Sequence, residues 1–303
     1  MPVADLASAI LYAAAWSVGR LPLRLQQAAG AFAGDAMRLA GTREAKVARR
    51  NLALVAPTLA PDAAAALHRD VLRQTGRLAM ETLRIWTRPR SDNLALVAAV
   101  HGEAHLQAAR DAGRGVIVAA PHYGNHELVI EWMAARGPFA LVYRTPETAW
   151  GDRFLRRARE GENVVLVPAE ASAMRPLLRT LQAGGAVGIT PDQQPKEGAG
   201  EFAPFFGRPA QTLTLIPRLA RRTGAAVLAV FAERRVDGRF DLHVEPVDPA
   251  IAGESEAGAL AAMNAAVERV ARRDMSQYQW TYKRFSRRPP GSDEPNPYRQ
   301  DFR

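Results

Sequence analysis

The chain has 303 residues, 48% of them hydrophobic, so it is long enough to bury the core of one large domain or two small ones. It contains no cysteine, which excludes disulfide bonds and thiolate metal sites. Its formal net charge of +9 favours an acidic partner, such as an anionic membrane or an acidic protein, and without a nucleic-acid motif we expect no nucleic acid partner.

The first predicted element is an uncharged apolar run, Leu6 to Gly19, which two arginines follow. Roughly 20 apolar residues are needed to cross a bilayer, so this run is short for a span. The pattern favours a helix that lies in or against a membrane interface with Tyr12 and Trp16 as anchors; a buried core helix is the alternative. We therefore predict a membrane-associating helix over residues 1–25.

A helical region is predicted next, over residues 26–90. Pro57 interrupts it and Pro89 ends it, and the apolar positions between them recur at near-helical spacing. No internal repeat or low-complexity linker separates this region from the rest of the chain. We therefore predict a single domain over residues 1–303.

From about Asn93 onward, predicted strands and helices alternate along the chain. The strands are Val116–Ala120, Phe139–Tyr143, Val164–Val167, Ala186–Thr190, Ala226–Phe231 and Phe240–Val244, and the helices are His126–Arg136, Asp152–Glu160, Met174–Ala183 and Thr214–Thr223. This alternation predicts an α/β fold with a mostly parallel mixed sheet flanked by helices. Ligands of such sheets gather at the carboxyl ends of the strands.

The most informative motif, His-Tyr-Gly-Asn-His-Glu, spans residues 122–127 directly after a predicted strand. An imidazole held by a carboxylate at a strand-to-helix turn can deprotonate a hydroxyl as a general base. His122 is the candidate base and Glu127 its candidate orienting group. A purely structural reading stays open, in which Asn125 caps the helix, Glu127 meets the helix dipole and His122 is a polar loop residue.

Further polar residues follow other predicted strands. Arg144 follows the second predicted strand, and Asp192 and Gln193 follow the fourth. Their positions make them candidates for the same site, because the carboxyl ends of parallel strands share one edge of the sheet. Structural readings exist here too: Arg144 could pair with Glu147, and Asp192 could be a turn residue in a Pro-Asp pair.

One histidine pair has a spacing that a metal site could use. His101 and His105 are four residues apart, but no further His or Cys supports a site, so a solvated helix face is favoured. We predict no metal.

Taken together, these motifs resemble those of the lipid A late acyltransferases, the lauroyl and myristoyl acyltransferases of lipopolysaccharide biosynthesis within the His-x4-Asp/Glu acyltransferase superfamily. The resemblance extends over roughly residues 6 to 291. The motifs that carry it are Arg49-Arg50-Asn51-Leu52 with Pro57, His122 to Glu127, Val142-Tyr143-Arg144, Arg159, Pro191-Asp192-Gln193, Phe205-Phe206-Gly207 with Thr212, and Gln277 to Phe285 followed by Arg288-Pro289. Two departures concern membrane attachment and the acceptor: the run 6–19 is shorter than the anchor of many members, and Gln194 stands where an acidic residue is common.

The resemblance implies a glycerolipid-acyltransferase-like fold and an O-acyltransferase that moves a fatty acyl chain from acyl carrier protein to a hydroxyl of a lipid A precursor. It implies that His122 is the general base, that Glu127 orients it, and that amides near Asn125, helped by an arginine, stabilise the oxyanion. The implied substrate-binding residues are Asn125, Arg144, Arg159, Asp192 and Gln193. No cofactor is required. The implied location is the cytoplasmic face of the bacterial inner membrane, with peripheral attachment or a single N-terminal anchor.

Two alternatives to this function stay open. The same motifs would serve an acyltransferase for another hydroxylated glycolipid or aminolipid. A protein of a different class, a catalytically silent membrane-binding protein, would keep the fold but would have no need of the His122 and Glu127 pair.

Overall fold

A computed structural model describes residues 3–196 and 198–299 of the chain. Its first part is helical. Five helices precede the first strand: α1 (Val3–Gly19), α2 (Leu23–Leu39), α3 (Arg43–Val55), α4 (Pro61–Ile85) and α5 (Arg90–Leu94). Helices α2 and α4 pack closely against one another, and α4 also contacts α1 and α3.

The remaining described residues form an α/β unit. Its strands are β1 (Val97–His101), β2 (Val116–Ala119), β3 (Phe139–Tyr143), β4 (Val164–Pro168), β5 (Ala186–Ile189), β6 (Gly200–Phe205), β7 (Arg208–Leu213), β8 (Ala226–Arg234) and β9 (Phe240–Pro246). Its helices are α6 (Glu103–Asp111), α7 (His126–Ala134), α8 (Ala149–Arg159), α9 (Met174–Gln182), α10 (Leu215–Thr223) and α11 (Glu256–Arg273). Short 3₁₀ turns lie at Ala171–Ala173, Pro249–Ala252 and Met275–Gln277.

Seven strands form the main sheet, in the order β1-β9-β8-β2-β5-β3-β4. The five strands from β8 to β4 are parallel, β9 is antiparallel to β8, and β1 is parallel to β9. The predicted mostly parallel mixed sheet is therefore confirmed, and each predicted strand is present. Strand β1 and the separate β6–β7 hairpin were not predicted.

The centre of the sheet is buried on both faces. Along β2, Ile117 and Ala119 join one hydrophobic cluster, and Val116 and Val118 join the other, on the opposite face. All four side chains are fully inaccessible. Helices must therefore cover both faces, which is why this strand is a continuous apolar run and not an alternating one.

Helices α2 and α4 cross at three glycines with no side chain between their backbones. A Cβ atom added to Gly76 would lie 2.0 Å from the Gly30 carbonyl oxygen, and one added to Gly34 would lie 2.3 Å from the Leu72 oxygen. Glycine is required because any side chain would push the helices apart. This crossing fixes α2 against α4 and, through α4, against the sheet.

Helices α1 and α2 meet at a bend of 112°. Among the described residues, no single helix is both long and apolar enough to cross a membrane, although Leu6–Gly19 and Leu23–Leu39 together meet the length and composition required. The predicted membrane association of residues 1–25 therefore stays a prediction.

Replacing Gly76 by alanine tests the helix crossing. Alanine improves helix propensity by about 1 kcal/mol, but the clash with Gly30 should outweigh that gain, and we expect a net loss of roughly 1–3 kcal/mol in the free energy of unfolding. Urea denaturation measures it. The matched control is Gly258→Ala in α11, where the added Cβ would make ordinary contact with Ser255 at 3.4 Å. Equal effects of the two substitutions would rule out the crossing as the cause.

Candidate active site

The turn between β2 and α7 places His122 at the carboxyl edge of the parallel strands. The Ala120 N–H still donates to Ile189 of β5, so His122 lies two residues beyond the sheet. Gly124 has φ +54° and packs directly against the backbone of β8, since an added Cβ atom would lie 1.9 Å from the Ala232 oxygen. The turn is therefore fixed by backbone contacts on both sides, and His122 has little freedom to move.

Asp192 is the carboxylate that holds His122. Its Oδ1 lies 2.7 Å from His122 Nδ1, and its Oδ2 accepts a 2.8 Å hydrogen bond from the His122 backbone N–H. Burial opposes ionisation of Asp192, but the adjacent His122 outweighs it and lowers the pKa of Asp192. A carboxylate on Nδ1 keeps the proton on that nitrogen and leaves Nε2 as a hydrogen-bond acceptor.

Glu127, the predicted orienting group of His122, has two other hydrogen-bond partners in this structure, Arg159 and Trp86. Arg159 donates to both carboxylate oxygens of Glu127, through Nη2 and, at 3.0 Å, through Nε, and Trp86 Nε1 donates at 2.8 Å. Burial would raise the pKa of Glu127, but Arg159 and the Trp86 hydrogen bond hold it at about 2. Glu127 lies in the first turn of α7, five residues after His122. From there its side chain contacts Trp86, directly after α4, and Arg159 at the end of α8.

His126 lies between the two carboxylates. Burial, and then the proximity of His122, lower the pKa of His126 to about 4. Its ring centroid is 4.8 Å from that of His122 in an edge-on arrangement, and its Nε2 is 3.6 Å from Glu127. His126 is therefore neutral at pH 7 and adds no positive charge beside His122.

A cavity of about 170 Å³ opens beside His122. Its polar rim contains His122, Arg144, Arg159 and Gln193, and the Gln193 amide nitrogen is 3.2 Å from His122 Nε2. Its interior is apolar, lined by Val129, Ile130, Phe139, Leu141, Val142, Gly188 and Ile189. The predicted residues Arg144, Arg159 and Gln193 thus share one cavity with His122.

Asn125 does not fit its predicted substrate-binding role. Its side chain is fully buried, its Oδ1 caps α7 by accepting from the Leu128 N–H, and its Nδ2 donates to Glu81 at 3.2 Å. Both polar atoms are therefore used inside the protein. Asp192 also differs from its predicted role, because it is buried and bound to His122.

The backbone amides expected to stabilise an oxyanion are mostly occupied. The Gly124 and Asn125 N–H groups donate to the carbonyls of Gln277 and Ala232. Arginines remain on the cavity rim as donors: Arg144, which is exposed, and Arg159, whose Nη1 has no hydrogen bond within the described part of the chain.

Sequence reasoning missed the buried ion pair that supports this turn. Arg234, at the end of β8, donates to both oxygens of Glu81, at 2.7 and 2.5 Å, and both side chains are almost completely buried. A signal existed: Glu81 lies on the buried face of α4 between Gly76 and Ile85, and a carboxylate in such a stripe needs a buried partner.

Two distant motifs of the sequence meet beneath the site. Asn51 Nδ2 donates to the carbonyls of Trp280, at 2.6 Å, and Tyr282, at 2.7 Å, and Asn51 Oδ1 accepts from the Tyr298 hydroxyl. The segment that contains Trp280 pairs with the turn around His122, because the Gln279 N–H donates to the His122 carbonyl. These contacts give Asn51 a structural role in positioning the turn.

The chain matches the family model described as bacterial lipid A biosynthesis acyltransferase over residues 4–287, almost its whole length. The chain belongs to this family. The residues that bind each other around His122 all lie within the matched range.

Curated relatives agree with this assignment. The chain is 29% identical over 252 residues to a lipid A biosynthesis palmitoleoyltransferase of Escherichia coli, covering 82% of this chain and 81% of the relative. It is 26% identical over 263 residues to a lipid A biosynthesis acyltransferase of Haemophilus influenzae, with 85% and 81% covered. It is also 29% identical over 235 residues to a phosphatidylinositol mannoside acyltransferase of Mycolicibacterium smegmatis, with 75% of each covered.

Glu127→Gln tests the structural role of the Glu127–Arg159 pair. It leaves Arg159 largely buried without a counter-charge, and we expect a loss of about 3–5 kcal/mol in the free energy of unfolding at pH 7. The pKa of Glu127 is about 2 in the folded protein, against an ordinary 4.5. The difference in free energy of unfolding between wild type and variant should therefore be full above about pH 4.5 and should be lost as pH falls towards 2. Urea denaturation across pH measures the difference.

Glu131→Gln, one turn later in α7, is the control. Burial raises the pKa of Glu131 despite the nearby Arg90. The free energy of unfolding of wild type relative to Glu131→Gln should therefore fall as pH rises, which is the opposite of the change expected for Glu127→Gln. A Glu127→Gln difference that stays constant down to pH 3 would contradict the assignment of Glu127 as a permanently charged partner of Arg159.

Proposed function

We propose that this protein is an O-acyltransferase that moves a fatty acyl chain from an acyl carrier protein thioester to a hydroxyl of a lipid A precursor. One observation carries the proposal: in a chain of this family, His122 is hydrogen-bonded to the buried carboxylate of Asp192 at the mouth of an apolar cavity. This pairing is the arrangement of a general base and its orienting carboxylate.

In the proposed step, His122 Nε2 accepts the proton of the acceptor hydroxyl as its oxygen attacks the thioester carbonyl. Asp192 keeps the other ring proton on Nδ1 and stabilises the imidazolium that forms. The tetrahedral intermediate then collapses, the carbon–sulfur bond breaks, and the imidazolium returns its proton to the thiolate. Oxygen–carbon bond formation and carbon–sulfur cleavage balance, so the step needs no further reactant.

Negative charge develops on the thioester oxygen during the attack. Arg159 is well placed to stabilise it, because Arg159 lines the cavity and Glu127 fixes it through Nε and Nη2, which leaves Nη1 without a hydrogen bond among the described residues. Arg144 provides a second cation on that rim. Such preorganised donors contribute about 3–4 kcal/mol to transition-state stabilisation in acyl transfer.

The apolar part of the cavity is suited to the first carbons of an acyl chain. Phe139 closes it against β5: a Cβ atom on Gly188 would lie 2.2 Å from the Phe139 ring. The cavity volume of about 170 Å³ is smaller than the roughly 300–1,000 Å³ of pockets that enclose whole drug-sized ligands. We infer that the remainder of the chain extends towards the protein surface.

The net charge supports the proposed donor and location. A formal charge of +9 attracts an acidic carrier protein and the anionic cytoplasmic face of the inner membrane. No cofactor enters the proposed step.

Exposed apolar side chains support membrane attachment through α1 and α2. Of the twelve large hydrophobic side chains that are exposed in the described residues, eight lie between Leu6 and Leu39. Leu25, Phe32 and Leu39 are 57%, 76% and 76% exposed and, at spacings of seven residues, form one stripe along α2. Contiguous apolar surface of this kind marks interaction sites. Arg20, Arg24 and Arg38, which lie beside or within these helices, favour an anionic bilayer. We propose that α2 lies on the membrane together with α1.

A second candidate acceptor is a different glycolipid. The mycobacterial relative, which is named for acylation of a phosphatidylinositol mannoside, has the same 29% identity to this chain as the Escherichia coli relative, over 235 residues against 252. Mass spectrometry of lipids from cells that lack the protein separates the two, since either lipid A or another glycolipid loses one acyl chain.

The decisive experiment measures acyl transfer by purified protein from lauroyl-acyl carrier protein to a tetra-acylated lipid A precursor. We expect His122→Ala and Asp192→Asn each to lower kcat by roughly 10²–10⁴-fold, and the double variant to be no worse than His122→Ala, because the two residues act as one unit.

Asp248→Asn is the matched control, since Asp248 caps a 3₁₀ turn far from His122 in the sequence and does not line the cavity. It should keep wild-type activity. Full activity of His122→Ala would show that His122 is not the base. Full activity of Asp192→Asn would show that Asp192 does not orient His122.

Membrane attachment is tested by Phe32→Ser combined with Leu39→Ser. Loss of two large apolar side chains should weaken binding to vesicles that contain anionic phospholipid at least about tenfold, as measured by co-sedimentation. Val165→Ser is the control, because Val165 is an exposed apolar residue on β4 that lines neither cavity. Unchanged binding by the double variant would exclude α2 from the contact.

A further inference from the structure

A second cavity, of about 300 Å³, lies where α2 and α4 meet the end of β8. Its lining is polar and includes Gln27, Gln74, Arg77, Arg234, Arg235 and Asp274. It adjoins the catalytic turn, because the Asn125 N–H donates to Ala232, two residues before Arg234. With about 4.8 Å between paired strands and 3.3 Å per residue, the cavity lies on the order of 15 Å from His122.

Most charged groups of this cavity already have partners. Arg234 donates to Glu81 and, at 2.6 Å, to Gln74. Arg235 pairs with Asp241. Asp274 accepts from Ser276 and from Gln277. These groups form a rigid wall and do not need a ligand.

Arg77 is the exception. It is half-buried on α4, lines the cavity, and makes no hydrogen bond or ion pair with any residue in 3–196 or 198–299. Burial, and then repulsion by Arg234, lower the pKa of Arg77, and Glu81 offsets this only in part. The Nε2 of Gln74 also has no hydrogen bond among these residues. The cavity thus holds a half-buried guanidinium and an amide donor that have no hydrogen-bonded anionic partner among these residues.

We propose that this cavity binds a phosphate group of the lipid acceptor, with Arg77 as its main ligand. The inference rests on the proposed function and adds to it a second contact point on the acceptor headgroup. Arginine suits a phosphate because its planar guanidinium can donate two parallel hydrogen bonds. Binding would also relieve the repulsion between Arg77 and Arg234.

The position of the cavity favours a lipid headgroup as the source of this phosphate. Gln27 of α2 lines the cavity on the face of α2 that packs against α4, and the exposed apolar stripe proposed to lie on the membrane runs along the opposite face of the same helix. A phosphorylated headgroup held at the bilayer surface could place its phosphate at Arg77 and its hydroxyl at His122. The phosphate would then position the acceptor without contact to the reacting atoms.

The test compares two acceptors that differ only in phosphate: a phosphorylated lipid A precursor and the same precursor after phosphatase treatment. For Arg77→Gln, we expect KM for the phosphorylated acceptor to rise roughly tenfold with little change in kcat, and KM for the dephosphorylated acceptor to be unchanged. Arg84→Gln is the control, because Arg84 is a similarly half-buried arginine on α4, seven residues on, outside the cavity.

Three results for Arg77→Gln would each overturn the proposal: an equal rise in KM for both acceptors, a rise in KM only for the acyl carrier protein, or no change in KM. A second measurement separates it from the proposed function. Phenylglyoxal modification of Arg77, followed by peptide mass spectrometry, should slow several-fold in millimolar inorganic phosphate but not in chloride of equal ionic strength. Protection of Arg77 without acyl transfer to either acceptor would contradict the proposed function alone; absence of protection would contradict the phosphate site alone.

Discussion

The carboxylate of Glu81 connects the N-terminal helices, the sheet and the catalytic turn. One oxygen accepts from Gln27 of α2 and from Arg234 of β8, and the other accepts from Asn125 and again from Arg234. The group is fully buried, so removing it would leave a buried guanidinium without a counter-charge, at a cost of about 3–5 kcal/mol. The helical region is therefore part of the active-site support, and the close glycine crossing of α2 and α4 allows Gln27 to reach Glu81.

Three buried carboxylates surround the turn, and their partners differ in one decisive respect. Glu81 and Glu127 are paired with the guanidinium groups of Arg234 and Arg159. Asp192 is hydrogen-bonded to the imidazole of His122, which can accept a proton at Nε2 in the proposed step. In the proposed mechanism the proton therefore passes through His122, while the two carboxylate–arginine pairs hold the turn in place. Neutral His126 separates the mobile proton from the fixed pair of Glu127 and Arg159.

Much of this could be predicted from the sequence, for physical reasons. The strands found were runs rich in apolar residues, the edge strand β4 included. By contrast, the edge strand β1 contains two alanines and a histidine, and the β6–β7 hairpin places Pro204 opposite Pro209. His122 was found because its motif is local. Its partner was not, because Asp192 is 70 residues away and only the sheet, in which β2 pairs with β5, brings the two together. The nearer carboxylate, Glu127, was the natural choice by spacing, but the direction of α7 turns it towards Arg159.

The pairing of Tyr123 with Tyr278 has a consequence for the order of folding. The contacts that fix the turn around His122 span about 155 residues of chain, and those of Asn51 with Trp280 span 229. Closing such long loops is slow, and local helices such as α4 form much earlier. During synthesis from the N-terminus, His122 therefore leaves the ribosome long before its surroundings exist. The turn around His122 can therefore gain its full set of contacts only after the segment around Trp280 has been synthesised.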